Sequence, residues 1–306
     1  EAGIVRELGK FLLSGALYRG KKSVMWSVVE KTALAEAEVE YHDHTSTTIW
    51  VRFPLHGAGG SDPSLVALLA GASAVIWTTT PWTLPANSAV AVHKDMDYQE
   101  VEVGGDKLIL AKELVSKVLT DEKHQPLDYK VLRDMKGKEL VGKSYEPLFE
   151  NRGENAHKVW HADYVSAEDG SGLVHLAPAY GEEDFIQANE YKIPVIHVLD
   201  ESGTYTEGDW KAENVWEINK QIAKDLHERG IVWKIDYIKH SYAHCYRCGT
   251  KLMYRAHPSW FMDVQTQKEQ MLVENTENIT WFPDHIKHGR FEKTIETAPD
   301  WNLSRD

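Results

Sequence analysis

The sequence predicts an α+β protein, with a β-rich, barrel-like core of short strands and helices packed outside it. Two observations carry that expectation. Short stretches with strand-like alternation or β-branched runs crowd the middle of the chain, each bounded by Gly- or Pro-containing breaks. Helical spacing of apolar residues appears mainly at the flanks.

Residues 3–17 form the first expected helix, with Ile4, Leu8, Phe11 and Leu12 on one face. Residues 47–55 alternate, placing Ile49, Val51, Phe53 and Leu55 on one side of a half-buried strand. His56-Gly57-Ala58-Gly59-Gly60-Ser61 breaks the pattern, and a second strand is expected at about 72–80. Residues 98–111 read as a hairpin around Gly104-Gly105-Asp106. Further strands are expected at 128–133, 158–166, 172–178, 194–199 and 231–239. A helix is expected at 214–229, where Val215, Ile218, Ile222 and Leu226 recur and Gly230 stands at the C-terminal cap. The flanking motifs differ in kind from those between them. The chain is therefore expected to divide into a stem at 1–45, a core at 46–232 and a second stem at 233–306.

Of the 306 residues, 42% are hydrophobic, enough to bury a core and too many for a disordered chain. No run of about 18 apolar residues occurs, so no membrane span is expected. The opening Glu1-Ala2-Gly3-Ile4-Val5-Arg6 carries neither initiator Met nor signal peptide and reads like the interior of a longer gene product. Cys245 and Cys248, the only cysteines, point to a reducing cytoplasm rather than a disulfide scaffold. The net charge of -13 is the opposite of what a free-standing RNA binder carries, because neutralising phosphates drives that affinity.

Three segments carry candidate chemistry. In Trp77-Thr78-Thr79-Thr80-Pro81-Trp82-Thr83-Leu84-Pro85-Ala86-Asn87, consecutive threonines at a strand end present hydroxyls to both faces, and Pro81 ends the ladder. Taken alone, the same run is also what any β-branched strand entering a turn looks like. In Gly172-Leu173-Val174-His175-Leu176-Ala177-Pro178-Ala179-Tyr180-Gly181-Glu182-Glu183-Asp184-Phe185, a strand carries His175 and three acids open a helix. Acids in a first helical turn are favoured by the helix dipole without any further role. In the third segment, Cys245-Tyr246-Arg247-Cys248-Gly249 is half of a tetrahedral zinc site. His240, His244, His42 and His44 are the remaining donors, and nothing in their spacing demands them. A reduced knuckle held by ordinary packing is the plainer alternative.

Together and in this order, the three segments resemble the isoleucyl-tRNA synthetase family, specifically the editing insertion that interrupts its catalytic domain. Thr78-Thr79-Thr80-Pro81-Trp82-Thr83-Leu84-Pro85-Ala86-Asn87 looks like that family's threonine-rich editing motif. Thr32-Ala33-Leu34-Ala35-Glu36-Ala37-Glu38-Val39-Glu40-Tyr41 and His175-Leu176-Ala177-Pro178-Ala179-Tyr180-Gly181-Glu182-Glu183-Asp184 resemble further family segments. Asp300-Trp301-Asn302-Leu303-Ser304-Arg305-Asp306 resembles the return into the synthetic domain. Pro81-Trp82-Thr83-Leu84-Pro85 favours the isoleucyl branch over a valyl or leucyl editing domain. Where family members place an earlier Cys-x-x-Cys that completes zinc, this chain has Ser27 and Glu30. The ATP-handling signatures His-Ile-Gly-His and Lys-Met-Ser-Lys-Ser are absent, so ATP and magnesium belong to a synthetic domain outside this chain.

The resemblance implies hydrolysis of valine wrongly esterified to tRNA(Ile), with no cofactor. It implies two partners: the 3′ end of that tRNA and the rest of a synthetase in cis. The chain itself is expected to be monomeric. The acidic charge is then reconciled, because other domains hold most of the tRNA. Asp184 matches the position that anchors the substrate's α-ammonium, and His175 the position lining the side-chain pocket. Thr78, Thr79, Thr80 and Asn87 match positions holding the adenosine, the ester carbonyl and the attacking water, and Trp77 is a wall. No nucleophilic Ser or Cys adjoins a base, so attack by an oriented water is expected, with Thr79, Thr80 and Asp184 as catalytic candidates. An insertion that binds the tRNA end without hydrolysing it is the competing expectation.

Overall fold

The computed structural model describes residues 1–56 and 71–305. The Gly57-Ala58-Gly59-Gly60-Ser61 break and the terminal Asp306 lie outside the described residues. Along the chain run α1 (Ala2–Ser14), β1 (Leu17–Ser27), β2 (Thr32–Leu34), β3 (Val39–Pro54), β4 (Ala72–Thr78) and β5 (Ala89–Val92). The hairpin β6 (Asp97–Val103) and β7 (Asp106–Ala111) follows, then β8 (Lys130–Lys136), β9 (Lys158–His161) and β10 (Val174–Leu176). Helices α2 (Glu182–Tyr191) and α3 (Val215–Glu228) precede β11 (Val232–Cys245) and β12 (Met253–Met262). The chain ends with α4 (Lys268–Glu277), α5 (Glu292–Thr297) and β13 (Trp301–Asn302).

These strands form three sheets, ordered β13-β12-β1-β2, β10-β5-β9 and β11-β3-β4-β7-β6-β8. The α+β class is as expected, but each sheet is open, and no barrel closes among the described residues. In the six-stranded sheet, β4 lies between β3 and β7, which explains its nearly unbroken apolar run: Ala72, Val75 and Ile76 are fully buried. Ile49, Val51 and Phe53 of β3 are buried as their alternation predicts. The β6–β7 hairpin turns on Gly104 (φ 59°) and Gly105 (φ 92°), left-handed conformations that suit a two-residue turn. Helix α3 starts on Asn214, whose side chain accepts from the Trp216 N–H at 3.1 Å, and buries Val215, Ile222, Ala223 and Leu226.

Four features depart from the sequence reading. The segment 194–199 makes only a single bridge, Leu199 to Tyr205. The N–H groups of Val198 and Leu199 instead donate to the Tyr180 hydroxyl, each at 2.9 Å, so a side chain replaces the ladder. Helix α1 forms where expected, yet its apolar face is exposed, with Ile4 at 74% and Leu12 at 52%. The third is β1 paired with β12 from Leu17↔Met262 to Trp26↔Met253, a long-range pairing no local pattern announces. Finally, the boundaries at 45/46 and 232/233 fall on continuous strands, because β3 and β11 pair in register from Lys234↔Trp50 to Cys245↔Val39.

The four-stranded sheet is tied to the rest by specific contacts. The Trp26 indole donates to Glu201 O at 2.9 Å, and Ala256 N donates to Ala179 O at 2.7 Å. Asp300 collects Tyr18, Lys22 and the N–H groups of Val264 and Gln265. Although burial pushes its carboxyl up, those bonds, led by Lys22, bring it down to about 2. Among the described residues no helix is long and apolar enough to cross a membrane.

The loop before β10 depends on one glycine. Gly172 has φ +75°, its carbonyl accepts from the Tyr98 hydroxyl at 2.9 Å, and a Cβ there would sit 2.2 Å from the Ala111 Cβ. Gly172→Ala is expected to destabilise the protein by about 1–3 kcal/mol, the usual range for overpacking. Urea denaturation checks this, and an unchanged midpoint would refute it.

Candidate functional site

Strand β4 delivers Thr78 and then stops, because Pro81 has no N–H for the next rung. Thr80 N donates to Thr78 Oγ1 at 3.0 Å, turning the chain sharply, and Pro81–Ala86 form a short 3-10 helix. That helix is pinned through Trp82. Its carbonyl accepts from the Tyr205 hydroxyl at 2.7 Å, and its ring packs against Tyr180 and against Trp216 of α3. Asn87 N donates to Leu84 O, Ser88 N donates to Leu176 O, and β5 begins beside β10 with His175 opposite Val90.

This pairing brings the first two segments together. His175 Nε2 lies 2.8 Å from Thr83 Oγ1, and its Nδ1 lies 3.3 Å from Asn87 Nδ2. Thr83 donates to Thr80 O at 2.9 Å, and Asn87 Oδ1 accepts from the Tyr145 hydroxyl at 2.6 Å. Two residues past His175, Ala177 N donates to Asp184 Oδ2 at 2.9 Å. The Thr-rich turn, His175 and Asp184 are thus joined through one short stretch of backbone. Gly181, the residue before α2, gives Asp184 its room, since a Cβ there would lie 2.6 Å from Asp184 Oδ2.

The groups differ in what they leave for a ligand. Thr78, Asn87 and His175 are buried. Asn87 engages both sides of its amide within the protein, since Nδ2 also donates to Ala89 O at 2.9 Å. Thr78 and Thr80 share a hydroxyl contact at 3.1 Å. Thr79 is half-buried, and its side chain has no hydrogen-bond partner among the described residues. Asp184 Oδ1 likewise accepts from no described group. Trp77 is half-buried, its ring set against Trp50 and against Gly170, where a Cβ would approach its Cε3 to 3.1 Å.

Burial governs the ionisation here. It holds the His175 imidazole down to about 4, so the ring is neutral at physiological pH. It pushes Asp184 up to about 7; the Ala177 N–H works against that rise and the Glu183 charge adds to it. A cleft of about 210 Å³ is walled by Trp77, Tyr164, Gly170 and Val174 among others. Tyr164 is 39% exposed, and its hydroxyl is held above its ordinary value by the crowding around it and by the charges of Asp184 and Glu183. Sequence reasoning assigned no role to Tyr164, Thr83 or Tyr145. Only Thr83 lay inside a quoted motif; the two tyrosines carry no local signal. A larger cavity of about 540 Å³ is walled by Phe11, Gly15, Met262 and Met271, none of them in the three segments.

The cysteine knuckle does not assemble a zinc donor set. Cys245 is buried, and Cys248 Sγ lies 3.0 Å from Thr250 Oγ1 and 4.0 Å from Ser27 Oγ. Glu30 pairs with Arg247 at 3.5 Å. His42, His44, His240 and His244 instead gather around the Tyr242 ring or one another on the β3–β11 ribbon. Among the described residues no three His, Cys, Asp or Glu side chains could hold a metal ion. Two thiols with hydroxyl neighbours fall short of a tetrahedral site.

The family described as tRNA synthetases class I (I, L, M and V) matches residues 1–306. An isoleucine–tRNA ligase of Petrotoga mobilis is 40% identical over 308 residues, covering 100% of this chain and 32% of that protein. One from Desulfotalea psychrophila is 40% identical over 310 residues, with the same shares of 100% and 32%. The chain therefore spans about a third of the length of these relatives. Among solved structures, the P. falciparum cytosolic leucyl-tRNA synthetase editing domain is 8% identical and covers 62% of this chain and 99% of that one, with a TM-score of 0.47.

The raised Asp184 makes a signed prediction. The folded state holds its proton more tightly than the unfolded chain, so this group's contribution to stability is lost as pH rises from the ordinary carboxylate range through about 7. Asp184→Asn keeps an acceptor for Ala177 N and removes the charge. Its melting temperature is expected to gain on that of the wild type between pH 5 and pH 8 and to level off above. A difference between the two proteins that does not change with pH would contradict the assignment.

Proposed function

The chain belongs to the class I tRNA synthetases (I, L, M and V), and from that premise we propose that it is the proofreading part of an isoleucine–tRNA ligase, removing valine from tRNA(Ile) by hydrolysis. The observation that supports the reading is the run of contacts joining the Thr-rich turn to the start of α2: Thr80 to Thr83, Thr83 to His175, and Ala177 N to Asp184. Thr79, just past β4, and Asp184 are the two groups at its ends that we take to meet the substrate.

The need for such a site is energetic. A methylene is worth about 1–3 kcal/mol in an apolar pocket, a general figure for which isoleucine and valine are themselves the standard illustration. A second, smaller site removes what the first admits. The substrate is an ester on the tRNA's terminal ribose, carrying a protonated α-amino group. Asp184 supplies the counter-charge: its ionised form is disfavoured by burial, and an arriving ammonium restores it. The Thr79 hydroxyl is available to the carbonyl oxygen as charge develops on it, or to the attacking water. Water adds to the carbonyl carbon, the bond to the ribose oxygen breaks, and valine and a free tRNA 3′ end result. His175, neutral and with both nitrogens engaged, contributes shape. Trp77 and Tyr164 wall the approach. The synthetic chemistry and most of the tRNA contact belong to the remainder of the longer protein.

The test is hydrolysis of Val-tRNA(Ile) by the purified chain and its variants. Asp184→Asn is expected to lower the rate about 30-fold or more, the worth of removing one partner of a buried charge pair. Wild-type hydrolysis is expected to rise with pH through about 7, as Asp184 ionises, and the variant is expected to lose that dependence. Near-wild-type turnover by Asp184→Asn would remove the acid from the mechanism. Binding of the tRNA end by a wild type that never turns over would favour a silent binding insertion.

A further inference from the structure

The four histidines that fail to form a metal site share a surface with a tyrosine. Strand β4 meets β3 only from Ile49↔Thr78 onward, so residues 39–48 of β3 and their partners on β11 run on as a two-stranded ribbon. The register His44↔His240, His42↔Tyr242 and Glu40↔His244 puts these side chains on one face, because directly opposed residues point the same way. Their rings are neighbours. His42 lies 5.0 Å from His244 and His44 lies 5.4 Å from Tyr242, while His240 and His244 flank Tyr242 at 5.8 and 6.0 Å. We propose that this face is a stacking platform for single-stranded RNA, taking the bases that precede the terminal adenosine of a tRNA 3′ end. The inference rests on the proofreading reading for which strand arrives, and on the ribbon's own chemistry for what it binds.

The rings suit that occupant. Every base has a π-face, so tyrosine and imidazole rings hold a strand without reading its sequence. The ring pairs stand edge-on, between 65° and 79°, so none closes its face against another in a parallel stack. His42 is exposed, and His44, His240 and His244 are half-buried. Ser46 Oγ lies 2.8 Å from His240 Nε2, and Tyr242 O lies 2.8 Å from His244 Nδ1, so two of the rings are set before a strand arrives.

The charges suit it too. Lys251 bridges to His244 through the backbone and holds its ammonium 5.7 Å from the Trp216 ring. Burial, then the charge of Lys220 on α3, lowers the Lys251 ammonium, and no carboxylate offsets them. Burial likewise lowers His44, followed by the charges of Lys251, His240 and His244. A phosphate beside the ribbon relieves that repulsion. The acids of this face stand at its ends, Glu40 beside His42 at 3.3 Å and Asp236 beside His124 at 3.7 Å. Asp43 points to the opposite face, where it meets Lys239 at 2.7 Å.

The ribbon also leads to the right place. Its base, Ile49, stands opposite Thr78 at the end of β4. At about 3.3 Å per residue, His44 and His42 lie about 17 and 23 Å from that point. Trp216 spans the gap, with its ring 6.4 Å from Tyr242 and 6.0 Å from Trp82 of the Thr-rich turn. A strand lying on the rings therefore reaches the turn at one end.

The test uses the whole chain and a short, fluorescently labelled single-stranded oligoribonucleotide ending in adenosine, with binding read by anisotropy at low salt. The wild type is expected to bind it, and His42→Ala and His44→Ala are each expected to weaken binding about fivefold or more, the loss of one stacked base. His42 is exposed, so His42→Ala supplies the test should His44→Ala not fold. Lys251→Ala should weaken binding and reduce the slope of log affinity against log salt by about 0.7, one phosphate on a single strand. The same variants should raise KM for Val-tRNA(Ile) rather than lower kcat. A wild type that does not bind the oligonucleotide, or binds it as tightly in a duplex, overturns the proposal, and so do folded variants that bind it as the wild type does. Binding that depends on these residues in a chain that hydrolyses no Val-tRNA(Ile) defeats the proofreading reading and leaves the platform standing.

Discussion

The pairing of β10 with β5 is the constraint on which the rest of the site depends. It spans only Val174↔Ala91, His175↔Val90 and Leu176↔Ala89, extended by the Ser88 N–H on Leu176 O. Because strand side chains alternate, a shift of one residue would turn His175 away from Thr83 and Asn87 and carry Ala177 out of reach of Asp184. The register is held where slippage is costliest, since Ala89, Val90 and Leu176 are fully buried. Neighbouring elements serve that pairing: Pro81–Ala86 brings the chain from β4 to β5, and α3 secures Trp82.

Elements with a strong local period were legible in the sequence. The hairpin at Gly104-Gly105, the alternation of β3 and the amphipathic α3 all lie close to where their residues placed them, because turn chemistry and side-chain spacing act over a few residues. What escaped was long-range. The pairing of β1 with β12 joins segments more than two hundred positions apart, and the failed strand at 194–199 lost its ladder to a tyrosine hydroxyl from another part of the chain. Helix α1 shows a third limit. Its pattern predicted an apolar face correctly but could not say that the face would stay about half exposed, with Leu8 at 43% and Leu12 at 52%. At the site, the motifs named Thr79 and Asp184 as candidates, whereas Tyr145 and Tyr164 carried no local signal, since their contacts exist only once the sheets assemble.

In the proposed reading a stability penalty and a recognition device are one feature. Burial that makes the Asp184 carboxylate expensive in the empty protein is what sharpens its preference for a cation over water. Desolvation acts on His175 in the opposite sense: it keeps the imidazole neutral, so the ring adds no positive charge near the Asp184 carboxyl. The overall acidity of the chain fits this arrangement, since nothing in the site requires the strong positive field of a free-standing RNA binder.

Gly181 gives this arrangement an unusual genetic profile. The residue is neither deeply buried nor in a left-handed conformation, so by ordinary criteria its codon would tolerate change. Yet the first atom of any side chain there would occupy the space of the Asp184 carboxyl, which could yield only by releasing Ala177 N. Missense alleles at this codon would therefore leave most of the scaffold in place while displacing the acid from Ala177 N.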